Sequence, residues 1–287
     1  MSAGDLTYWP APAKLNLFLH VVGRRPDGYH LLQTCFQFVD LCDEVGLRVR
    51  ADGRIERLQG AAGVPAEADL CVRAARALQH ASGCRLGADI DLRKRIPMGA
   101  GLGGGSSDAA TTLLALDRLW GLSWGVERLA GLGLQLGADV PVFVRGRAAW
   151  AEGIGERLTP LLPPDAPAET MYLILKPKVS IATAAVFQDP ELTRNTPAIT
   201  IAGFLATGGH NDCEPVVRRR YPEVARALDH LARFGRARLT GTGACVFVDC
   251  ATEEQGREIM RQTPPEWEAF LVRGLNESPL LRRLACA

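Results

Sequence analysis

Lysine is scarce in this chain of 287 residues, although basic residues as a class are not. Lys14, Lys94, Lys176 and Lys178 are the only lysines, whereas Lys and Arg together number 33. Acidic residues number 32, so the net charge is +1, which argues against a broad basic surface for nucleic acid. A local basic pocket for a small anion is compatible with this balance. For Lys176 and Lys178 we prefer simple solvation.

The sequence also lacks membrane, secretion and metal signatures. No apolar run approaches the ~20 residues that a membrane-spanning helix needs, and residues 1–12 lack the charged-then-apolar layout of a signal peptide. The eight cysteines form no Cys-x-x-Cys pair and show no zinc spacing with histidine. Cysteines in apolar contexts are typical of a reducing compartment. We therefore expect a soluble, cytoplasmic protein.

The most informative segment present is a glycine-rich stretch at residues 97–110, PMGAGLGGGSSDAA. Glycines let backbone N–H groups converge on an anion, because they have no Cβ. The run that follows favours a helix, whose N-terminus adds unpaired N–H donors and a partial positive charge. The segment therefore predicts a phosphate site.

The common phosphate-binding motifs do not fit this segment. A P-loop has Lys between its last Gly and the Ser or Thr, but here Ser106 follows Gly105 directly. Gly99, Gly101 and Gly104 match the dinucleotide fingerprint, yet no acidic residue follows at the required distance. Protein-kinase catalytic motifs are missing too. A flexible loop capped by serine is disfavoured, because five glycines cost folding entropy.

Hydrophobic periodicity predicts a mixed, α+β chain. The predicted strands are 15–21, 31–40, 45–50, 88–92, 140–144, 147–152, 171–176, 238–240 and 269–273, and the predicted helices are 70–81, 107–120, 126–136, 216–220, 222–234 and 253–262. We expect Ser106 or Ser107 to cap the second helix, Gly137 to end the third, and Arg145-Gly146 to turn a hairpin. The Pro-rich segment 161–167 reads as a linker between domains 1–160 and 161–287, with the last strand or helix free to pack back on the first domain.

Two segments besides the glycine loop contain residues suited to catalysis. Lys14 lies between prolines and an apolar strand, which favours a fixed, partly desolvated ammonium group over a solvated one. Asn16 shares its strand face. Asp139 stands between Gly137 and an apolar run, where a turn carboxylate and a catalytic base are equally plausible interpretations.

Two further segments are weaker signals taken alone. Tyr29 and His30 follow the Asp27-Gly28 turn, and such a pair most often serves packing. Residues 239–245, LTGTGAC, form a second glycine loop that would suit another phosphate, a close backbone approach or a strand bend. The residues alone leave these alternatives open.

Taken together, five ordered motifs resemble the GHMP kinases, the superfamily of galactokinase, homoserine, mevalonate and phosphomevalonate kinases. The motifs are PAKLNL at 12–17, RPDGYH at 25–30, the glycine-rich stretch at 97–110, LGADVPVF at 136–143 and LTGTGACVF at 239–247. The extra glycines are similar to those of the members that phosphorylate a cytidine diphosphate-linked methylerythritol. The resemblance runs from Trp9 to about Pro279.

The resemblance implies a two-domain fold, with an N-terminal ribosomal-protein-S5-like nucleotide domain and a C-terminal ferredoxin-like domain, and it implies ATP and Mg²⁺ as cofactors. Asp139 matches the catalytic base and Lys14 the catalytic lysine. The implied ATP site comprises Lys94, Pro97, Met98, Gly99, Ala100, Gly101, Leu102, Gly103, Gly104, Gly105, Ser106 and Ser107, and the implied substrate pocket comprises Asn16, Tyr29, His30, Thr183 and Phe187. Asp69 departs from the pattern, since the resemblance places Asn there, near the adenine.

Two rival functions remain at this stage. One is another GHMP kinase of the homoserine or mevalonate type, against which the Tyr29-His30 pair and the triple glycine argue. The other is a non-catalytic nucleotide-binding protein, against which Lys14 and Asp139 argue. The expected partner is a small-molecule substrate, without nucleic acid or membrane, and the chain is expected to be a monomer or a weak homodimer. The sequence alone does not identify the Mg²⁺ ligands, for which Ser106, Ser107 and Asp108 are candidates.

Overall fold

The computed structural model describes residues 5–286 and shows an α+β fold. The strands are Thr7–Arg24 (β1), His30–Arg50 (β2), Ile55–Gln59 (β3), Gly87–Arg93 (β4), Ala149–Glu152 (β5), Arg157–Pro160 (β6), Met171–Lys176 (β7), Arg238–Leu239 (β8), Val246–Cys250 (β9) and Glu268–Leu275 (β10). The α-helices are Leu70–Ser82 (α1), Gly104–Leu119 (α2), Val126–Leu134 (α3), Val140–Arg145 (α4), Thr183–Phe187 (α5), Ile201–Thr207 (α6), Glu214–Arg220 (α7), Pro222–Ala232 (α8), Glu253–Arg261 (α9) and Pro279–Ala285 (α10).

A long antiparallel hairpin of β1 and β2 organises the sheet. Its register runs from Thr7 opposite Leu47 to Arg24 opposite His30. Strand β2 was predicted as two strands, 31–40 and 45–50, but it is continuous. The polar residues at 40–44 do not interrupt it, because the carboxylate of buried Asp43 accepts hydrogen bonds from the backbone N–H of Ile96 and from Lys94.

The last strand joins the two halves of the molecule. Strand β10 pairs with β7 along most of its length, and its final residues, Gly274 and Leu275, pair with β2. The strand order is β3-β4-β2-β10-β7-β9-β8, and among the described residues only β3 and β4 pair in parallel. Helix α10 then returns to β1, where Leu280 is buried in the first hydrophobic cluster.

Three hydrophobic clusters form the core. The first lies between β1, β2, β4 and helices α1 to α4, and it includes Trp9, Leu113 and Phe143. The second, around Leu228 and Val248, packs α7, α8 and α9 on β7, β9 and β10. The third contains residues from both halves of the chain. The domain boundary near residue 160 stays a prediction.

The predicted strand at 140–144 is wrong, because this segment is helix α4. All five of its residues are buried, so its apolar character could not distinguish a strand from a buried helix. Pro141 stands in the first turn, where proline favours a helix, and Gly146 ends it with a φ of 65°. The predicted 145–146 hairpin is therefore wrong as well, and β5 pairs with β6 instead.

The helix boundaries also differ from prediction at the glycine loop. Helix α2 begins at Gly104 rather than at Ser107, and Gly103, not Ser106 or Ser107, occupies the capping position with a φ of 72°. Helix α3 ends at Leu134, and Gly137 does not adopt the left-handed conformation of a terminating glycine. Periodicity missed the short elements β3, β6, α5, α6 and α10, which have four to seven residues each.

Two expectations about composition can be compared with the structure. Lys176 is buried, and its Nζ donates to the carbonyl oxygens of Pro177 and Val179 at 2.7 and 2.9 Å. The prediction that this lysine is simply solvated is therefore wrong. All eight cysteines are free thiols. Over residues 5–286, none of the helices is long and apolar enough to cross a membrane.

Candidate functional site

A cleft of about 570 Å³ opens beside the glycine loop. Its volume lies in the range of pockets that hold small-molecule ligands. One wall comes from β1, β2, the start of α1 and the 97–106 loop, and the other from α5 and the second glycine loop. The cleft therefore brings together segments that are far apart in the sequence.

The glycine loop needs glycine at two closely packed positions. Gly101 has a φ of 76°, and a Cβ there would lie 2.2 Å from the carbonyl oxygen of Thr240. Gly103 has a φ of 72°, and a Cβ there would lie 2.8 Å from the Phe143 ring. Because L-residues with a side chain disfavour this backbone region, these positions favour glycine on both conformational and steric grounds. The loop then runs directly into the N-terminus of α2.

The second glycine loop supports the first one. Cys245 donates its backbone N–H to the carbonyl oxygen of Ala100 at 3.1 Å, and the Thr240 hydroxyl donates to the carbonyl oxygen of Gly101 at 3.2 Å. Of the alternatives considered for residues 239–245, the close backbone approach is confirmed. Gly241 and Thr242 also line the cleft.

Lys14 is held at the base of the cleft by oxygen atoms. Its side chain is 4% exposed, and Nζ donates to Asn16 Oδ1 at 2.5 Å and to the carbonyl oxygen of Gly101 at 3.0 Å. Asp139 Oδ2 lies 3.5 Å from the same Nζ, and this carboxylate is one-third exposed to the cleft side. The structure thus brings the two residues implied by the resemblance together, and their catalytic roles stay a prediction.

The polar groups of Asn16 are hydrogen-bonded mainly to other residues of the protein. While its Oδ1 accepts from Lys14, its Nδ2 donates to the Thr34 hydroxyl at 3.0 Å. Its backbone N–H donates to the hydroxyl of Thr240 at 3.0 Å. Asn16 lines the cleft, but these contacts give it the geometry of a residue that positions Lys14.

A buried charge cluster lies behind the glycine loop. Lys94 Nζ donates to Asp43 Oδ2 and, at 2.7 Å, to Asp108 Oδ2 on the first turns of α2. Asp43 also accepts from the backbone N–H of Arg95 and Ile96. Burial raises the pKa of Asp108 to about 8, and the Asp43 carboxylate adds to the shift, while Lys94 opposes it. Burial alone would lower the pKa of Lys94, but its two carboxylate partners raise it.

Asp69, where the resemblance expects asparagine, caps helix α1. Its Oδ1 accepts from the backbone N–H of Cys71 at 2.9 Å, and its Oδ2 accepts from Arg57 Nη1 at 3.1 Å. The residue lines the cleft beside Leu70. The substitution therefore places a carboxylate–guanidinium pair at this wall.

The far wall contains an aromatic pair and a hydroxyl pair. The rings of His30 and Phe187 stack with centroids 5.0 Å apart and planes at 25°. The hydroxyls of Thr183 and Thr242 lie 3.0 Å apart and join α5 to the second glycine loop. Phe187 and Thr183 line the cleft.

Most of the residues singled out from the sequence meet in this one cleft. It is lined by Lys14, Asn16, Lys94, Pro97, Met98, Gly99, Ala100, Gly101, Leu102, Gly103, Gly104, Gly105, Ser106, Asp139, Thr183 and Phe187. Ser107 is fully buried, Tyr29 is 60% exposed, and neither these two residues nor His30 lines it. His30 stacks on one side of the Phe187 ring, so the structure holds no preformed slot for a base between Tyr29 and Phe187.

Sequence reasoning missed several residues around the cleft. Thr34 lines it and bonds Asn16, Asp43 binds Lys94, and Arg194 binds His30. Thr34 belongs to a strand pattern, Asp43 lies in the gap between two predicted strands, and Arg194 lies outside every motif, so none of them carried a local signal. Only the folded chain brings them to the site.

Comparison with known proteins places this geometry in a family. A model described as "GHMP kinases N terminal domain" matches residues 69–147, and one described as "GHMP kinases C terminal" matches residues 198–266. A relative from Chromohalobacter salexigens, named 4-diphosphocytidyl-2-C-methyl-D-erythritol kinase, is 59% identical over 94% of this chain and 92% of its own length. A relative of the same name from Pseudomonas syringae pv. syringae is 56% identical over 96% of each chain.

Solved structures agree with the sequence comparisons. The crystal structure of a 4-(cytidine 5'-diphospho)-2C-methyl-D-erythritol kinase superposes with a TM-score of 0.81 at 33% identity, covering 93% of this chain and 99% of that one. A mevalonate kinase superposes with a TM-score of 0.71 at 18% identity, covering 94% of this chain and 100% of that one, and shows the shared fold alone. The expected two-domain GHMP kinase fold is confirmed.

Proposed function

The chain belongs to the 4-diphosphocytidyl-2-C-methyl-D-erythritol kinases of the GHMP superfamily, and from this premise we propose how its cleft carries out the reaction. The enzyme transfers the γ-phosphate of ATP to the 2-hydroxyl of the cytidine diphosphate-linked alcohol. The products are the 2-phosphate and ADP, and the reaction is a step of the methylerythritol phosphate route to isoprenoids.

The observation that supports the assignment of roles is the Lys14–Asp139 pair beside the glycine loop. Asp139 is the general base that accepts the proton of the attacking hydroxyl, a contribution of typically ~10²–10⁴-fold. Lys14 lies 3.5 Å from this carboxylate and stabilises the charge on the transferred phosphoryl group. Its contacts with Asn16 and Gly101 fix the ammonium group before the substrates bind.

The glycine loop and α2 hold the phosphates of ATP. Residues 99–105 and the N-terminus of α2 line the cleft, where their backbone N–H groups would complement negative charge. The side chains of Ala100 and Leu102 are buried in the third hydrophobic cluster, which leaves their backbone to serve the ligand. Phosphoryl transfer depends mainly on such alignment and charge stabilisation.

Mg²⁺ fits the oxygen-rich start of α2. Ser106 and Asp108 line the cleft, and Asp108 Oδ1 has no hydrogen-bond partner among the described residues, whereas the candidate Ser107 is buried away from the cleft. Hydroxyl and carboxylate oxygens, together with phosphates, are the ligands that Mg²⁺ takes in kinases. Bound there, the ion would neutralise part of the phosphate charge.

The cytidine moiety is assigned to the far wall. Phe187 offers a ring face, His30 and Tyr29 lie at the adjacent hairpin end, and Thr183 and Thr242 offer hydroxyls. Stacking of a base on an aromatic ring is worth ~1–3 kcal/mol. The eight free thiols favour a cytoplasmic location, and the expected form is a monomer or weak homodimer acting on a small molecule.

Identification of the phosphorylated hydroxyl tests this function. Wild-type enzyme is incubated with ATP, Mg²⁺ and the cytidylated alcohol, and the product is analysed by ³¹P and ¹³C NMR. We expect the new phosphorus signal to couple to the carbon that carries the 2-hydroxyl. Phosphate on another hydroxyl would contradict the proposed alignment.

A further inference from the structure

Arg194 connects His30 and Phe187, the two sides of the pocket that we assign to the cytosine base and call the base pocket. Its Nε donates to His30 Nε2 at 3.0 Å, and its Nη2 donates to the carbonyl oxygens of Phe187 at 3.0 Å and Asp189 at 2.7 Å. Its Nη1 donates to the carbonyl oxygen of Leu192 at 3.0 Å. One planar guanidinium thus ties the start of β2 to the end of α5.

These contacts define the protonation of His30. A guanidinium group has only donors and stays protonated, so His30 Nε2 is the acceptor and keeps its lone pair. The remaining proton of the neutral imidazole is then on Nδ1, for which the described residues offer no hydrogen-bond partner. Burial, followed by the charges of Arg194 and Arg24, lowers the pKa of His30 and favours the same neutral form.

The stacked geometry depends on the same arginine. His30 lies against Phe187 at 5.0 Å, and Phe187 lines the cleft. Since Arg194 binds the ring of one partner and the backbone of the other, it restrains both at once. A side chain that is already restrained in the free protein loses less conformational entropy when the ligand binds.

We propose that Arg194 is a positioning residue of the base pocket, which fixes His30 as the Nδ1–H tautomer and holds its ring against Phe187. In this tautomer His30 keeps a single imidazole N–H donor beside Phe187, which would suit a pyrimidine with adjacent acceptors, such as N3 and O2 of cytosine. Uracil carries N–H at N3 and is disfavoured at the same donor. This inference rests on the proposed function for the identity of the base.

The first test reads the tautomer directly and needs no substrate. Two-bond ¹H–¹⁵N NMR of the full-length enzyme distinguishes protonated from unprotonated ring nitrogens. In the wild type we expect protonated Nδ1 and unprotonated Nε2 at His30. Arg194→Gln should shift the population towards Nε2–H and raise the pKa of His30, because one of its two facing cations is removed. A wild-type spectrum with Nε2 protonated would overturn the proposal, whether or not the variant folds.

The second test separates positioning from general stability by kinetics. Arg194→Gln should raise the KM for the cytidylated alcohol ~5- to 10-fold, with the KM for ATP within ~2-fold, because only the base pocket loses its restraint. Arg194→Lys keeps the charge without the bridging fork, so it should rescue little of this loss. Arg219→Gln, which removes an arginine paired with Asp189 and Glu191, is the matched control and should leave both constants unchanged.

The outcomes are distinguishable from failure of the proposed function. If wild-type enzyme does not turn over the cytidylated alcohol, the proposed function fails, whereas the NMR result still decides the link between Arg194 and His30. If turnover is normal and Arg194→Gln changes neither the tautomer nor the KM, the inference about Arg194 is wrong. An equal rise in both KM values would also overturn it.

Discussion

Lys14 and Asp139 share one ammonium–carboxylate contact, yet their surroundings differ. Lys14 is buried and held by Asn16 and Gly101, whereas Asp139 is one-third exposed beside the cleft. An immobile cation and an accessible carboxylate suit their proposed roles in charge stabilisation and proton transfer. The sequence predicted both residues, Lys14 from the prolines around it and Asp139 from the glycine before it.

Asp139→Asn tests the base role with little change of shape. We expect kcat to fall by at least ~10²-fold, because the amide cannot accept the hydroxyl proton. The affinity for ATP, measured by calorimetry, should stay near that of the wild type. Near-normal turnover would remove Asp139 from this role.

Asn16→Ala distinguishes a positioning residue from a substrate contact. The variant loses the acceptor that holds Lys14 Nζ, so we expect kcat to fall ~10-fold or more while the KM for the cytidylated alcohol changes less. Steady-state kinetics at saturating ATP provides both constants. A rise in KM at unchanged kcat would instead place Asn16 in the substrate pocket, as the resemblance implies.

At the scale of elements, the junction between the glycine loop and α2 combines left-handed glycines, the proposed phosphate site and a buried charge cluster. The glycine pattern predicted the phosphate role, but not that α2 begins at Gly104. The Lys94 cluster depends on Asp43, which is far away in the sequence and lies within a strand that appeared interrupted. Local patterns cannot reveal a polar residue whose partners come from another element.

Gly103→Ala tests the need for a left-handed residue before α2. The φ of 72° and the approach to Phe143 predict a loss of ~1–2 kcal/mol or more in unfolding free energy and a higher KM for ATP. Gly131→Ala in α3, where a Cβ meets no atom within 4 Å, is the control. It should be neutral or stabilising by up to ~1 kcal/mol in urea denaturation. Equal behaviour of the two variants would contradict the strain argument.

Asp108→Asn tests the buried carboxyl group through its pH dependence. Its pKa is about 8 in the folded protein, against ~3.9 in an unfolded chain. Between these values the folded state binds the extra proton, so this site makes the unfolding free energy fall as the pH rises from ~4 to ~8. The variant lacks this titration and should gain stability relative to the wild type across that window.

Urea denaturation at several pH values measures this difference. Asp165→Asn, which removes an exposed carboxylate between β6 and β7, serves as the control and should show a constant offset. A constant offset for Asp108→Asn as well would mean that Asp108 is ionised in the folded state throughout the window.

At the scale of the whole molecule, the site depends on contacts between distant parts of the chain. Strand β10 joins β2 to β7, and α10 returns to β1, so the two halves share a continuous sheet. The α+β class and the motifs that meet in the cleft were predictable, because each motif is defined by residues that are adjacent in the sequence. The bridge made by Arg194 was not, since it and His30 are 164 residues apart.

Substrate choice tests the central claim most directly. Purified wild-type enzyme with ATP and Mg²⁺ is assayed for ADP release in parallel with the cytidylated methylerythritol, homoserine and mevalonate, at equal concentrations and with a no-alcohol control. The account predicts substrate-dependent release with the cytidylated alcohol alone. Release with homoserine or mevalonate, or no release above the control with any of the three, would contradict it.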